Sequence, residues 1–197
     1  MPRASLTQEQ VLAFRTRAVE AATALFAERG YRGVTLRSLA AELGVSPMTP
    51  YRYFENKEEL FALVRTEAFR RFADAQGEAM RGVADPEEAL RAGGMAYVQF
   101  ALDEPAAYHI MFELQQAPAG TYEALEREQE RAFSFLRDAV DRAVAAGLIQ
   151  GEPLRQAHML WAKVHGLVSL HLAGKLLMGC SLEDLMPEIF EYRTAAE

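Results

Sequence analysis

Apolar residues recur along this chain at steps of three and four and nowhere alternate with polar ones, the pattern of amphipathic helices rather than strands. Phe14, Ala18, Ala22, Leu25 and Phe26 make one stripe, and Leu36, Leu39, Ala40 and Leu43 a second. Leu60, Phe61, Val64, Ala68, Phe69 and Phe72 follow, then Leu90, Met95, Tyr97, Val98 and Leu102, then Leu125, Phe133, Leu136, Val140 and Val144. Local chemistry marks the ends. Thr7 with Gln10 and Asn56 with Glu59 have capping-box spacing. Asp85-Pro86-Glu87-Glu88 supplies an N-cap, a first-turn proline and an acidic third position. Thr121 and Ser181 read as caps, Pro105 and Pro153 as starts, and Gly30, Gly44 and Gly147 as stops. Pro118-Ala119-Gly120 breaks the chain between two of these stretches. The spacing predicts helices from Thr7 to Arg29, from Asn56 to about Arg81 and from Pro153 to about Met178, with a last one capped by Ser181. The expected fold class is all-α.

Between the first two of these long helices the pattern becomes short and polar. Gly44 stops the Leu36–Leu43 stripe, Ser46 is a natural N-cap, and Pro47 suits a first turn. Two short helices across a glycine-containing turn form a helix-turn-helix, whose second helix can enter a DNA major groove. Met48, Thr49, Tyr51, Arg52 and Tyr53 crowd that second helix, which is too polar for a core element of its length. Arginine forks onto guanine edges, and threonine and methionine touch thymine methyls. Tyrosine hydroxyls and a lysine ammonium suit phosphate oxygens. The alternative is an ordinary helical hairpin with a solvated face. Pro50 lacks an N–H at the fourth helical position, so this helix is expected to start late or bend.

Charge divides the chain at the same place. The 197 residues carry a formal charge of −7. Residues 1–57 hold eight Lys and Arg against five Asp and Glu, a net of +3, and residues 58–197 hold thirteen against twenty-three, a net of −10. A basic head on an acidic body is expected when only the head meets phosphate. The expected domains are therefore 1–57, closing three helices on one small core in the homeodomain manner, and 58–197. The helix from about 56 to 81 is expected to bridge them as one rigid element. Residues 1–6 read as a frayed arm, with Arg3 the residue in it that could reach a groove. No apolar run approaches the length of a membrane span, and the start has no apolar signal core. Cys180, the single cysteine, reads as a packed small side chain. With no disulfide to form, the expected location is the cytoplasm.

The run from Phe26 to Leu60 closely resembles the amino-terminal domain of TetR-family transcriptional regulators. The matching segments are F-A-E-R-G-Y-R-G-V-T-L-R-S-L-A, L-G-V-S, and Y-R-Y-F-x-N-K-E-E-L. Pro50 departs from the family, which usually has an apolar residue such as leucine there. The resemblance implies phosphate contacts for Tyr51 and Lys57 and base contacts for Arg37 and Arg52. With Thr35, Ser46, Met48, Thr49 and Tyr53, these make the candidate DNA surface. Double-stranded operator DNA, a small-molecule effector and a second copy of the chain are the expected partners, and a ligand-released repressor is the expected role.

The stretch from Pro153 onward offers two different faces. Met159, Ala162, Gly166, Ser169, Ala173 and Leu176 follow alternating steps of three and four, a seam of mostly small residues that another helix can approach closely. Read as an intersubunit seam, it pairs with Leu182, Leu185, Met186, Ile189 and Phe190 of the last helix. Two helices from each subunit then form a four-helix interface, in which Leu185 and Ile189 take part. The other reading is close packing within one subunit. The opposite face carries His158, Trp161 and His165. W-A-K-V-H-G, with the earlier Y-H-I-M-F, resembles the WHG subgroup of the same family. Trp161 and His165 offer a cavity an aromatic wall and a hydrogen-bonding ring, or else they are a packed tryptophan and a core histidine bonded to a backbone carbonyl. The candidate pocket residues are Phe69, Phe72, Tyr97, Tyr108, His109, Met111, Phe112, Phe133, Trp161 and His165. They suit a mostly apolar effector with one or two hydrogen-bonding groups.

Other chemistries find less support. His158 and His165 are two turns apart, a poor chelating pair, and no cysteine cluster joins them. There is no nucleophile with its base, no cleft-forming carboxylate pair and no phosphate loop, so neither an enzyme nor a cofactor is expected. A helical small-molecule carrier or structural adaptor without operator binding is the alternative function.

Overall fold

The computed structural model of the chain describes residues 7–112 and 120–190. The amino-terminal arm with Arg3, and Pro118 and Ala119 of the expected break, lie outside them. Among the described residues there are eight α-helices, one 3-10 turn and no strand. The helices are α1 (Gln8–Gly33), α2 (Leu36–Glu42), α3 (Lys57–Ala79), α4 (Pro86–Asp103), α5 (Pro105–Met111), α6 (Glu123–Ala145), α7 (Pro153–Leu172) and α8 (Leu182–Ile189). The chain divides into two compact units, Met1–Phe69 with Ala106–Glu126, and Arg70–Pro105 with Arg127–Glu197. The first thus takes in more of the chain than residues 1–57. No helix among the described residues is long and apolar enough to cross a membrane.

In the first unit α1 starts at a complete capping box. Thr7 accepts from Gln10 N–H at 3.2 Å and its own N–H donates to the Gln10 side chain at 3.1 Å. Gly30 breaks the helix as expected, at φ 64°, and one more turn leads to Val34. Ala18, Ala22, Leu25 and Phe26 bury against Leu36, Leu39, Phe54, Leu60, Phe61 and Val64, with Ile110 of α5 in the same core. Burying each of the Leu, Val, Ile and Phe side chains contributes roughly 1.5–3 kcal/mol, the main force closing the unit. Asn56 caps α3 by accepting from Glu59 N–H at 2.8 Å. The Glu59 carboxylate, however, reaches Glu55 N–H at 2.7 Å and Arg15 at 2.5 Å, so only half of the expected box forms.

The second unit packs α7 on α4 and on α8. Its core holds Phe72, Leu90, Tyr97, Val98, Phe100, Val140, Leu160, Val164, Val168, Met186 and Phe190. Asp85, Glu152 and Ser181 cap α4, α7 and α8 with their side chains. Two boundaries depart from expectation. α6 opens after Tyr122 rather than at Thr121, because the Tyr122 carbonyl accepts from Leu125 and Glu126 N–H. α7 ends at Leu172, six residues before Met178, because Gly174 takes φ 64° and closes a Schellman motif. In that motif Lys175 N–H meets Leu170 C=O at 2.8 Å and Gly174 N–H meets His171 C=O at 2.9 Å. Leu176 therefore lies beyond the helix and drops out of its seam. Cys180 is exposed rather than packed.

Gly94 on α4 is required by close approach. A Cβ there would sit 1.9 Å from Cζ of Phe190, which is fully buried at the end of α8. An exposed helical Gly→Ala change ordinarily stabilises by about 1 kcal/mol. Here Gly94→Ala should instead destabilise by about 1–3 kcal/mol through overpacking. Phe190→Ala in the same chain should make the change favourable again, a coupling readable in urea unfolding of the two single variants and the double. A stabilising Gly94→Ala in the parent would contradict this packing.

Candidate nucleic-acid interface and effector cavity

The polar segment after α2 is built by its end groups. Thr35 caps α2 by accepting from Ser38 N–H at 3.0 Å. A Schellman motif closes the helix, with Val45 N–H on Ala40 C=O at 2.9 Å, Gly44 N–H on Ala41 C=O at 3.2 Å and Gly44 at φ 64°. Ser46 then begins its cap, its hydroxyl 3.4 Å from Met48 N. The α-helix expected from Ser46 does not follow. Thr49 N–H bonds Ser46 C=O at 2.8 Å, Arg52 N–H bonds Thr49 C=O at 3.0 Å, and Tyr53 N–H bonds Pro50 C=O at 2.9 Å. These are three-residue turns, and Pro50–Arg52 is a 3-10 helix. The cause is Pro50, which has no N–H to give Ser46 C=O in an α-helical bond. Its ring is nonetheless fully buried, so the apolar role of the position is kept while its donor is lost.

This turn sets which side chains face outward. Thr35, Arg37, Ser46, Met48, Tyr51 and Arg52 are exposed. Arg37 and Arg52 make no ion pair or hydrogen bond among the described residues, so both guanidinium forks are uncommitted. Thr49, Tyr53 and Lys57 are half-buried. The Tyr53 ring stacks on Phe14 at 4.0 Å between centroids. Lys57 donates to Tyr31 C=O at 3.0 Å, with its ammonium 4.1 Å above the Tyr31 ring. The sequence reading missed these anchors, and with them the hydrogen bond from Tyr31 to Glu58 at 2.7 Å. Burial, then that bond, holds the Tyr31 phenol well above its usual pKa, and the same bond lowers that of Glu58.

The candidate pocket residues fall in both units. In the first, Phe69 meets Phe112 edge-on at 6.1 Å and Tyr108 meets Phe112 at 5.1 Å. Tyr108 and Met111 are buried, and Arg65 donates to Met111 C=O at 3.0 Å. His109, expected as a polar point of the pocket, is instead exposed on α5, because the buried face of that short helix is taken by Ala107, Tyr108, Ile110 and Met111.

In the second unit an apolar cavity of about 30 Å³ is lined by Tyr97 and Trp161, both expected, and by Gln76 and Phe190, neither of which was. It has room for about one water molecule. Phe72 supports Tyr97 edge-on at 5.1 Å, and Phe133 lies 6.0 Å from Trp161. His165 takes the Tyr97 hydroxyl at Nδ1 (2.9 Å) and approaches Ser169 Oγ with Nε2 (3.4 Å). The partners are side chains rather than the backbone carbonyl considered from sequence, and burial lowers the histidine pKa.

Along α7, Met159 is 54% exposed, Ala162 and Ala173 are exposed, and Gly166 and Ser169 are partly covered. A Cβ on Gly166 would meet nothing within 4 Å. Leu182, Met186 and Phe190 of the expected α8 stripe are buried within their own unit, while Leu185 and Ile189 are half-covered.

Residues 18–64 match the family model described as bacterial regulatory proteins, tetR family, and residues 90–194 match that of the tetracyclin repressor-like C-terminal domain. A HTH-type transcriptional regulator of Bacillus subtilis, YhgD, is 26% identical over 67% of this chain and 70% of its own. A protein of unknown function from a Rhodococcus species has a similar structure, with a TM-score of 0.74 and 26% identity over 96% of this chain and 95% of its own. AibR, solved in complex with isovaleryl coenzyme A and operator DNA, shares the fold at a TM-score of 0.72. Its identity is 20%, over 89% of this chain and 95% of its own.

The Tyr97–His165 pair makes a pH prediction. A histidine whose pKa is lowered by folding is neutral in the folded state while the unfolded chain still takes up the proton. Stability should thus hold above about pH 7 and fall as pH drops through about 6.5, the unfolded value. His165→Gln should flatten that fall in urea unfolding between pH 7.5 and 5.5. Identical pH profiles for parent and variant would place the proton uptake elsewhere.

Proposed function

The chain belongs to the TetR family of bacterial transcriptional regulators, and on that premise we propose that it is a repressor that binds a palindromic operator as a homodimer and leaves it when a small, mostly apolar effector binds. It is a DNA-binding transcriptional regulator and not an enzyme. The observation that carries the DNA reading is the pair of uncommitted guanidinium groups, Arg37 and Arg52, flanking an exposed turn in the basic part of the chain. Arg37 and Arg52 read base edges, Tyr51 and Lys57 hold phosphates, and Thr35, Ser46, Met48, Thr49 and Tyr53 complete the surface. Lys57 does so while anchored to Tyr31, which orders it before DNA arrives.

The homodimer forms on α7, through Met159, Ala162, Gly166, Ser169 and Ala173, with Leu185 and Ile189 of α8 beside them. A dimer places two recognition turns on half-sites one DNA turn apart, about 34–36 Å. The effector occupies the cavity of the second unit, with Tyr97 and Trp161 at its wall, His165 bonded to the Tyr97 hydroxyl, and Phe72 and Phe133 packed against Tyr97 and Trp161. The AibR complex, with both a small molecule and operator DNA, supports this pairing of roles in one chain. A ligand can release DNA only by unequal affinity for the two states, so the effector prefers the free dimer.

Retardation of a palindromic fragment from the protein's own promoter tests the DNA reading. Arg52→Ala should cost about 1–3 kcal/mol and relax preference at one base pair of each half-site. Parent-like affinity and specificity in Arg52→Ala would remove the turn from the base-reading surface.

Gly166→Leu separates the interface from the fold. Among the described residues nothing lies within 4 Å of a Cβ placed on Gly166, so the variant should fold with unchanged helical circular dichroism. It should sediment as a monomer and lose tight operator binding, since a single head reads only one half-site. An intact dimer would move the interface away from this seam.

A further inference from the structure

Gln76 lies in the part of α3 that belongs to the second unit, is 4% exposed, and lines the cavity. Its side-chain oxygen is buried with no hydrogen-bond partner among the described residues. A buried amide oxygen left without a donor is destabilising, and a leucine of similar volume would pack the same space without that cost. Among the described residues the other lining side chains with a polar group are Tyr97 and Trp161, and the Tyr97 hydroxyl is already engaged by His165. Among the described residues no Lys, Arg, His, Asp or Glu lines the cavity, so none of them compensates a charge on a guest.

The present volume of about 30 Å³ admits little beyond water, yet part of its wall is displaceable. The Phe190 ring lies directly on the bare backbone of Gly94, and the flexible Met80 thioether lies 3.0 Å from where a Gly93 Cβ would be. Both are side chains rather than backbone, and Phe190 sits at the cap of α8 rather than within a helix.

We propose that this cavity takes an uncharged molecule with an aromatic-sized apolar body and one hydrogen-bond-donating head, the body replacing the Phe190 ring over Gly94 and the head donating to the Gln76 carboxamide. The inference deepens the effector reading above and rests on it. It assigns recognition of the head to a residue that the pocket expected from sequence did not contain, and it excludes carboxylates and phosphates from the buried part of the ligand. It also makes entry of the ligand a displacement of the end of α8, beside the proposed dimer seam.

The test uses the full chain with three probes of one shape: 2-phenylethanol, ethylbenzene and phenylacetate. Trp161 is the only tryptophan and lines the cavity, so its emission reports occupancy, with calorimetry as the second readout. In the parent, 2-phenylethanol should bind saturably and phenylacetate should not. Gln76→Leu should weaken 2-phenylethanol roughly tenfold, the upper end for one hydrogen bond, and leave ethylbenzene unchanged. Its unfolding midpoint should equal or exceed the parent's, which separates lost recognition from lost folding. Phe190→Leu should tighten both neutral probes, because a competing ring is gone. Equal 2-phenylethanol affinity in parent and Gln76→Leu, phenylacetate binding as tightly as the alcohol, or a flat titration with all three probes would overturn the proposal. A flat titration would mean that the amide meets water only. Operator retardation without any probe is run alongside: if it persists while the probes fail, this inference fails alone, and if it too is absent, the effector-responsive regulator reading fails with it.

Discussion

Six of the eight described α-helices begin where a side chain takes the backbone N–H groups that a first turn leaves unbonded, and the fold depends on that constraint. Thr7, Thr35, Asn56, Asp85, Glu152 and Ser181 each accept at such a start. Each cap contributes on the order of 1 kcal/mol, less than one buried leucine, but it decides the residue at which a helix starts and so which face every later side chain occupies. The Thr35 cap puts Leu36, Leu39 and Ala40 inside and Arg37 outside. The Asn56 cap starts α3 so soon after Phe54 that the turn carrying Tyr51 and Arg52 is held at both ends. Where the constraint cannot be met, the local structure changes. Pro50 has no N–H, and the segment tightens into a 3-10 turn while its ring still fills the core.

The same rule makes exceptions informative. Arg65 and Gln76 are the two buried polar side chains among the described residues. Arg65 has compensation: a carbonyl at 3.0 Å and the rings of Phe61 and Phe69 at 6.0 and 5.9 Å, cation–π contacts of about 0.5–2 kcal/mol each. Burial still lowers its pKa, and its Nε has no partner. Gln76 has no such compensation and faces a cavity. An unmet hydrogen bond beside empty space is the condition under which a guest gains most from supplying the missing donor.

Most helix ends were legible because their signals are local. A capping box, an N1 proline or a C′ glycine acts within four residues, and Thr7, Asp85-Pro86, Pro153, Gly30, Gly44 and Ser181 all act as read. The misreadings have physical causes of longer reach. Apolar periodicity ran on to Leu176, but one left-handed glycine at 174 stopped α7 earlier. Met186 and Phe190 looked like a stripe for a partner subunit, yet they bury within their own unit, because Gly94 on α4 makes room for the Phe190 ring. His109 lies in an apolar run but on the outward side of a short helix, which no composition reveals. Gln76 gave no signal at all. In the run A-D-A-Q-G-E it reads as a solvated position, and only the packing around it shows a buried amide with nothing to bond.

An operator surface and an effector cavity coupled in one chain obey thermodynamic reciprocity, which offers a direct test of the proposed regulator. On one preparation, the Kd for operator is measured with and without saturating 2-phenylethanol, and the Kd for 2-phenylethanol with and without saturating operator. Each ligand should weaken the other by the same factor, larger than one. An operator Kd unchanged by a saturating probe would contradict that coupling.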